Sequence, residues 1–140
     1  MSSHLYLLDT SIWVLVLRRQ PPGQLARRVQ ALIEGNAAAV NQIVRLEVLA
    51  GCKTPREYSD LDDKLKGLAG LEIGQGTWDR AASLAFDLRR RGTSPSVPDV
   101  IIAASAVEND AVLIHADSDF DLIAANSDLR VESFAPTQPG

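Results

Sequence analysis

Leu5-Tyr6-Leu7-Leu8-Asp9-Thr10-Ser11 is an apolar run cut off by an acid and followed by two hydroxyls. Successive strand residues point to opposite faces, so a run that is apolar throughout suits a strand covered on both sides, as in a parallel sheet. Thr10 or Ser11 is then a natural N-cap for a helix beginning at Ile12. Asp9 falls where strand gives way to helix, and in open α/β sheets ligands bind beyond that end of the strands. A second such stretch, Ala111-Val112-Leu113-Ile114-His115-Ala116, also runs into acid, at Asp117-Ser118-Asp119-Phe120-Asp121. As parallel neighbours, the two strands deliver Asp9 and Asp117 to one edge.

The rest of the chain alternates short strands with helices. A helix over 12–17 is broken by Gln20-Pro21-Pro22-Gly23, and Leu25, Val29, Leu32 and Ile33 recur at helical spacing before a Gly35-Asn36 C-cap. A weak strand over 37–40 precedes Asn41, which caps a helix over 42–50. Helices follow over 55–68 and from Thr77, with a short strand over 71–73 between them. The second of these helices has an inner stripe of Trp78, Ala81, Ala82, Ala85 and Leu88, and Gly92 stops it. After a loop over 93–98, Asp99 opens a helix that is apolar nearly all round through Ala106, so that helix should be deeply buried. One helical turn over 122–124 and a strand over 131–134 complete the pattern. The implied fold is a three-layer α/β/α sandwich with a short, mainly parallel sheet, in a single domain over 1–135 with a flexible tail over 136–140.

With 140 residues, 46% hydrophobic and 23% charged, the chain can build a real core. No apolar run approaches the ~20 residues of a membrane span, and no basic segment precedes an apolar core at the N-terminus. Cys52 is the single cysteine, so no internal disulfide forms, which fits a cytoplasmic location. A net charge of -4 argues against a passive nucleic-acid coat. Arginines nevertheless cluster at Arg18-Arg19, Arg27-Arg28 and Arg89-Arg90-Arg91, and guanidinium forks suit phosphate oxygens. The last triplet also complements a helix dipole.

The acids carry the chemical signal. Glu47 shares a helical face with Ile43, Ala50 and Gly51, an unusual setting for a carboxylate. Carboxylates gathered at one place repel and recruit a cation, and hard oxygen ligands without a Cys/His cluster point to Mg²⁺ or Mn²⁺. His4 and His115, the only histidines, read as packing or surface residues. Asp117-x-Asp119-x-Asp121 is not a calcium loop, because Leu122 replaces the glycine of its sixth position. The strand followed by Asp117-x-Asp119 also resembles a haloacid-dehalogenase-type phosphatase, with Asp117 as nucleophile. Asp121 stands where that motif wants Thr or Val, and only a short tail follows. No Walker loop, G-x-G-x-x-G or G-x-S-x-G is present.

Taken in order, Leu7-Leu8-Asp9-Thr10-Ser11, Arg45-Leu46-Glu47-Val48-Leu49-Ala50-Gly51, Pro98-Asp99-Val100-Ile101-Ile102-Ala103-Ala104-Ser105-Ala106 and Val112-Leu113-Ile114-x-x-Asp117-x-Asp119-Phe120 resemble the PIN-domain ribonucleases. They are similar in particular to VapC toxins of bacterial toxin–antitoxin pairs. The resemblance implies a catalytic quartet of Asp9, Glu47, Asp99 and Asp117, with metal held by Asp9, Asp99, Asp117 and Asp119 and supported by Thr10 and Ser11. It leaves Asp121 a surface acid. It further implies Mg²⁺- or Mn²⁺-dependent hydrolysis of structured RNA such as tRNA or rRNA, a small antitoxin partner and a homodimer. Arg18, Arg19, Arg89, Arg90 and Arg91 are candidate RNA contacts. The exposed faces of Ile12-Trp13 and of the 55–68 helix are candidate partner surfaces. The alternatives are the phosphatase and a non-catalytic PIN relative that binds RNA or protein.

Overall fold

The structure, a computed structural model, describes residues 4–136, so of the expected tail only Pro136 falls within it. The elements are β1 (Tyr6–Leu8), α1 (Thr10–Val16), α2 (Gly23–Glu34), β2 (Ala38–Asn41), α3 (Gln42–Ala50) and α4 (Pro55–Lys66), then β3 (Ala69–Leu71), α5 (Gln75–Arg90), α6 (Val97–Glu108), β4 (Val112–His115), α7 (Ser118–Ala125) and β5 (Val131–Ser133). All five strands are parallel, in the order β3-β2-β1-β4-β5. Leu7 and Leu8 on β1, and Leu113 and Ile114 on β4, are wholly buried although neighbours along each strand face opposite sides. The sheet is therefore covered on both faces. Right-handed crossovers put the helices that lead from β1 to β3 on one face and those that lead from β3 to β5 on the other. The result is the α/β/α sandwich expected from the sequence.

From β1 the chain winds outward to β2 and β3, then returns past β1 to β4 and β5. The order reverses between β1 and β4, and a crevice opens at the carboxyl ends of such a pair. Their register is Tyr6↔Val112, Leu7↔Leu113 and Leu8↔Ile114. The Asp9 N–H continues it by donating to the Ile114 carbonyl at 3.0 Å. Arg28 on α2 clamps the middle of the sheet. Its guanidinium gives two hydrogen bonds to Glu132 on β5, at 2.9 and 2.8 Å, and stacks over the Tyr6 ring of β1.

Several boundaries differ from the sequence reading. Helix α1 starts at Thr10 because Asp9 is itself the cap, accepting from the Ser11 N–H. Strand β3 lies at Ala69–Leu71 rather than 71–73, its pairing set by Ala39↔Ala69 and Val40↔Gly70. Helix α6 begins at Val97, with Ser96 as its cap and Pro98 in the first turn, a position that tolerates the missing N–H. Helix α7 runs two turns, not one. Helix α5 is rolled from its expected orientation: Thr77, Ala81 and Leu88 are buried, whereas Trp78, Ala82 and Ala85 are exposed. Gly92, at φ +85°, ends the segment in a left-handed conformation that favours glycine. Ile12 and Trp13 are wholly buried core, so they are not a partner surface. Among the described residues no helix is long and apolar enough to cross a membrane.

Val100 through Ala106 on α6 are all buried, and the small residues Ala103, Ala104, Ser105 and Ala106 let α6 lie close against its neighbours. Enlarging one of them has no room to relax into. Ala103→Leu is expected to cost about 1–3 kcal/mol, measured as a lower urea midpoint with an unchanged m-value.

Candidate active site

Each acid is placed by a short local device. Asp9, the residue after β1, is almost entirely buried. Its Oδ2 accepts from the Ser11 hydroxyl at 2.6 Å and from the Ser11 N–H at 3.0 Å. The same hydroxyl accepts from the Ala116 N–H at 2.9 Å, so Ser11 joins the end of β1 to the segment leaving β4. Asp117 caps α7 through Oδ1, which accepts from the Asp119 N–H at 3.0 Å. Asp99 stands in the first turn of α6, where its N–H donates to the Ser96 hydroxyl at 3.3 Å. Glu47 on α3 accepts a 2.8 Å hydrogen bond from the Thr10 hydroxyl.

These devices bring Asp99, Asp117 and Asp119 together, with one carboxylate oxygen from each within 4.8 Å of the others. Asp9 lies beside them, near enough that its charge acts on Asp99. Glu47 stands outside this cluster and is tied to it through Thr10. It is also exposed, on a rim rather than among apolar side chains, so its sequence surroundings overstate its burial. Arg18, Arg19, Arg89, Arg90 and Arg91 are all exposed. Arg89 to Arg91 end α5 just before the short connection to α6, which puts them at the same end of the helix pair as Asp99. Arg90 stacks on Phe86, and Arg91 donates to the Asn126 carbonyl at 3.3 Å.

Like charges and burial act together on the titratable groups. The Asp99 carboxyl is pushed from its ordinary 3.8 up to about 6, first by burial and then by the charges of Asp9, Asp117 and Asp119, against an opposing hydrogen bond from Ser96. His115, at the end of β4, is wholly buried rather than a surface residue. Burial lowers its pKa against the pull of Asp121, Asp9 and Asp117, which keeps the ring neutral. Its Nδ1 accepts from the Asp117 N–H at 3.2 Å, and its Nε2 lies 3.2 Å from Asp121 Oδ1. That second contact is off the N–H axis, so Nε2 makes no aligned hydrogen bond. Asp121 is thus half-buried beside the site, not a free surface acid. Three convergent carboxylates form a hard-oxygen donor set that suits a divalent cation of the Mg²⁺ or Mn²⁺ kind.

A parallel sheet with acids gathered at its switch point is the architecture of a PIN domain, and the PIN domain family pattern matches residues 6–126. Ribonuclease VapC11 of Mycobacterium tuberculosis is 33% identical over 133 residues, spanning 91% of this chain and 98% of the relative. Ribonuclease VapC51 of the same species is 36% identical over 121 residues, spanning 86% of this chain and 85% of the relative. VapBC2 from Rickettsia felis, crystallised bound to a DNA fragment from its promoter, shares the fold with a TM-score of 0.78 at 23% identity, over 93% of this chain and 98% of that one. The chain belongs to the PIN-domain family, among its VapC-type toxins.

Two outcomes follow from this geometry. Ser11→Ala removes the bridge and leaves the Ala116 N–H and Asp9 Oδ2 without it, at a cost of about 1–3 kcal/mol, whereas Ser11→Thr keeps the hydroxyl; urea unfolding of the two variants measures the difference. The second concerns pH. Because the folded pKa of Asp99 is raised, the fold favours its protonated form. The contribution of Asp99 is therefore most favourable below its ordinary pKa and declines as pH rises from about 4 to about 6. Metal-free protein should lose stability relative to Asp99→Asn over that window, and Mg²⁺ at neutral pH should restore it, as read by thermal melting.

Proposed function

We propose that this protein is a divalent-metal-dependent endoribonuclease, the toxin of a toxin–antitoxin pair, acting in the cytoplasm on structured RNA such as tRNA or rRNA. The observation that carries this reading is the convergence of Asp99, Asp117 and Asp119 at the carboxyl ends of the central strands, beside Asp9. The names of its VapC relatives support the ribonuclease activity.

Asp9, Asp99, Asp117 and Asp119 would hold Mg²⁺ or Mn²⁺, and Glu47, from the rim, joins Asp9, Asp99 and Asp117 in the catalytic quartet. Such an ion, when bound, supplies an activated water and neutralises charge building on the scissile phosphodiester. The chain's own residues do the positioning. Ser11 fixes one oxygen of Asp9 and leaves Oδ1 without a donor among the described residues. Thr10 fixes Glu47 in the same way, through Oε1. Asp99, whose carboxyl pKa is raised to about 6 by burial and by the charges of Asp9, Asp117 and Asp119, would gain from a cation that offsets those charges. Arg89, Arg90 and Arg91, on the Asp99 end of the helix pair, contact the RNA backbone, and Arg18 and Arg19 do so from beyond α1. Such contacts make binding salt-sensitive.

The antitoxin finds its surface in the groove between α1, α3 and α4, about 680 Å³, whose apolar lining of Val14, Leu17, Val48 and Leu61 reaches Thr10 and Glu47. On this reading the partner covers the Pro55–Lys66 helix and the outer side of α1. A homodimer, which the VapC resemblance implies, has the exposed Trp78 and Phe86 of α5 available to it.

The test is cleavage of total RNA by antitoxin-free protein with Mg²⁺, with Mn²⁺ and with EDTA, beside Asp9→Asn and Asp99→Asn. Cleavage is expected to require metal and to fall by roughly 100-fold or more in both variants. Variants that cut as fast as the parent would remove the acids from the mechanism.

A further inference from the structure

His115 and Asp121 are left over when the acids are assigned, yet they lie directly behind Asp117. The His115 ring is wholly buried, packed against Phe120 at 5.3 Å between ring centres. Its Nδ1 accepts from the Asp117 N–H at 3.2 Å, so in the neutral ring the proton sits on Nε2. That buried N–H faces Asp121 Oδ1 at 3.2 Å without being aligned on it. An orphaned buried donor costs about 1–3 kcal/mol, and the half-exposed Asp121 side chain needs only to turn to satisfy it. Asp121 is steadied in turn by the Ser133 hydroxyl, which donates to Oδ2 at 3.0 Å from the end of β5. Ser133, Asp121, His115 and the Asp117 backbone thus lie in one succession of polar groups, closed by hydrogen bonds at both ends and by a 3.2 Å approach between His115 and Asp121.

We infer that His115 and Asp121 are positioning residues: the imidazole grips the backbone of Asp117 from behind and Asp121 holds the imidazole, so that the Asp117 carboxylate is presented to a divalent cation at a fixed height. Nothing else among the described residues accepts the Asp117 N–H. The next N–H, from Asp119, is already bound to the Asp117 carboxylate itself. Without the imidazole, the turn from β4 into α7 loses the contact that sets its exit from the strand. The carboxylate then swings with the turn. Partners one step removed from a metal act in this way, and losing one typically costs 10–100-fold in metal affinity or activity.

The inference rests on Asp117 holding metal, and one experiment separates the two claims. Mn²⁺ binding to the metal-free full chain is measured by calorimetry for the parent, Asp117→Asn, His115→Leu, His115→Asn and Asp121→Ala, with melting temperatures alongside. Asparagine sets its Oδ1 near the place of Nδ1 and keeps the acceptor; leucine keeps bulk and loses it. His115→Leu is expected to bind Mn²⁺ about 10-fold or more weakly, His115→Asn within about 3-fold of the parent, and Asp121→Ala about 3- to 10-fold weaker with an unchanged melting temperature. A purely structural histidine would lower the melting temperature in both His115 variants and leave Mn²⁺ affinity alone. Parental affinity in His115→Leu or Asp121→Ala overturns the inference. If His115→Leu does not fold, Asp121→Ala decides it. If Asp117→Asn binds as tightly as the parent, the metal reading itself fails.

Discussion

The parallel pairing of β1 with β4 governs everything the site does. Two strands buried on both faces can slip only at the expense of exposing Leu7, Leu8, Leu113 or Ile114, so their register is strongly held. Because the topology reverses at this pair, no helix crosses directly between their carboxyl ends. The chain leaves them in opposite directions, into α1 and α7, and each exit carries an aspartate. The crevice and its acids follow from strand order and register before any side chain is considered. Ser11 then bridges the two exits and converts a topological gap into a rigid one.

Holding acids together costs stability, and the structure shows where. Asp99 is half-buried against three like charges and gains only a Ser96 hydroxyl in return. Its first turn can be held there because the rest of α6 is locked in the core from Val100 to Ala106. The cost at Asp99 thus falls at the end of a firmly packed helix, and the surrounding fold does not yield to relieve it. A less buried α6 would splay at its N-terminus and separate Asp99 from Asp117. This links the small residues of α6, which look like mere packing, to the electrostatics of the cluster.

What was legible in the sequence was what burial writes into it. The two central strands print as unbroken apolar runs, and α6 as a helix apolar all round, because each is covered on every side. The acids at the ends of those runs could be found for the same reason. Edge and surface elements left weaker marks. Strand β3 contains Gly70 and borrows its register from β2, so its position is a tertiary property. Helix α5 has alanines on two faces, and its periodicity alone did not say that Trp78 faces out and Thr77 in. Glu47 was suspected for its apolar neighbours, but it stands exposed on the rim, and its tie to Thr10 spans 37 residues of sequence. The His115–Asp121 contact depends on how the chain turns from β4 into α7, which no spacing rule encodes.

An acid at the start of a helix is ordinarily a capping device, and Asp9, Asp99 and Asp117 all stand at such a place. At Asp9 and Asp117 the cap engages only one carboxylate oxygen. Asp9 gives Oδ2 to Ser11, and Asp117 gives Oδ1 to the Asp119 N–H. In each, one oxygen caps while the second carries no donor among the described residues. A cap fixes the side-chain torsion of the acid. With α1, α6 and α7 all beginning at the crevice, three helix ends soften the repulsion among carboxylates that share it. Capping thus fixes Asp9 and Asp117 at the crevice, and the same hydrogen bonds leave one oxygen of each without a donor among the described residues. A substitution that preserves the cap but not the charge, as asparagine does, separates the two roles at each position.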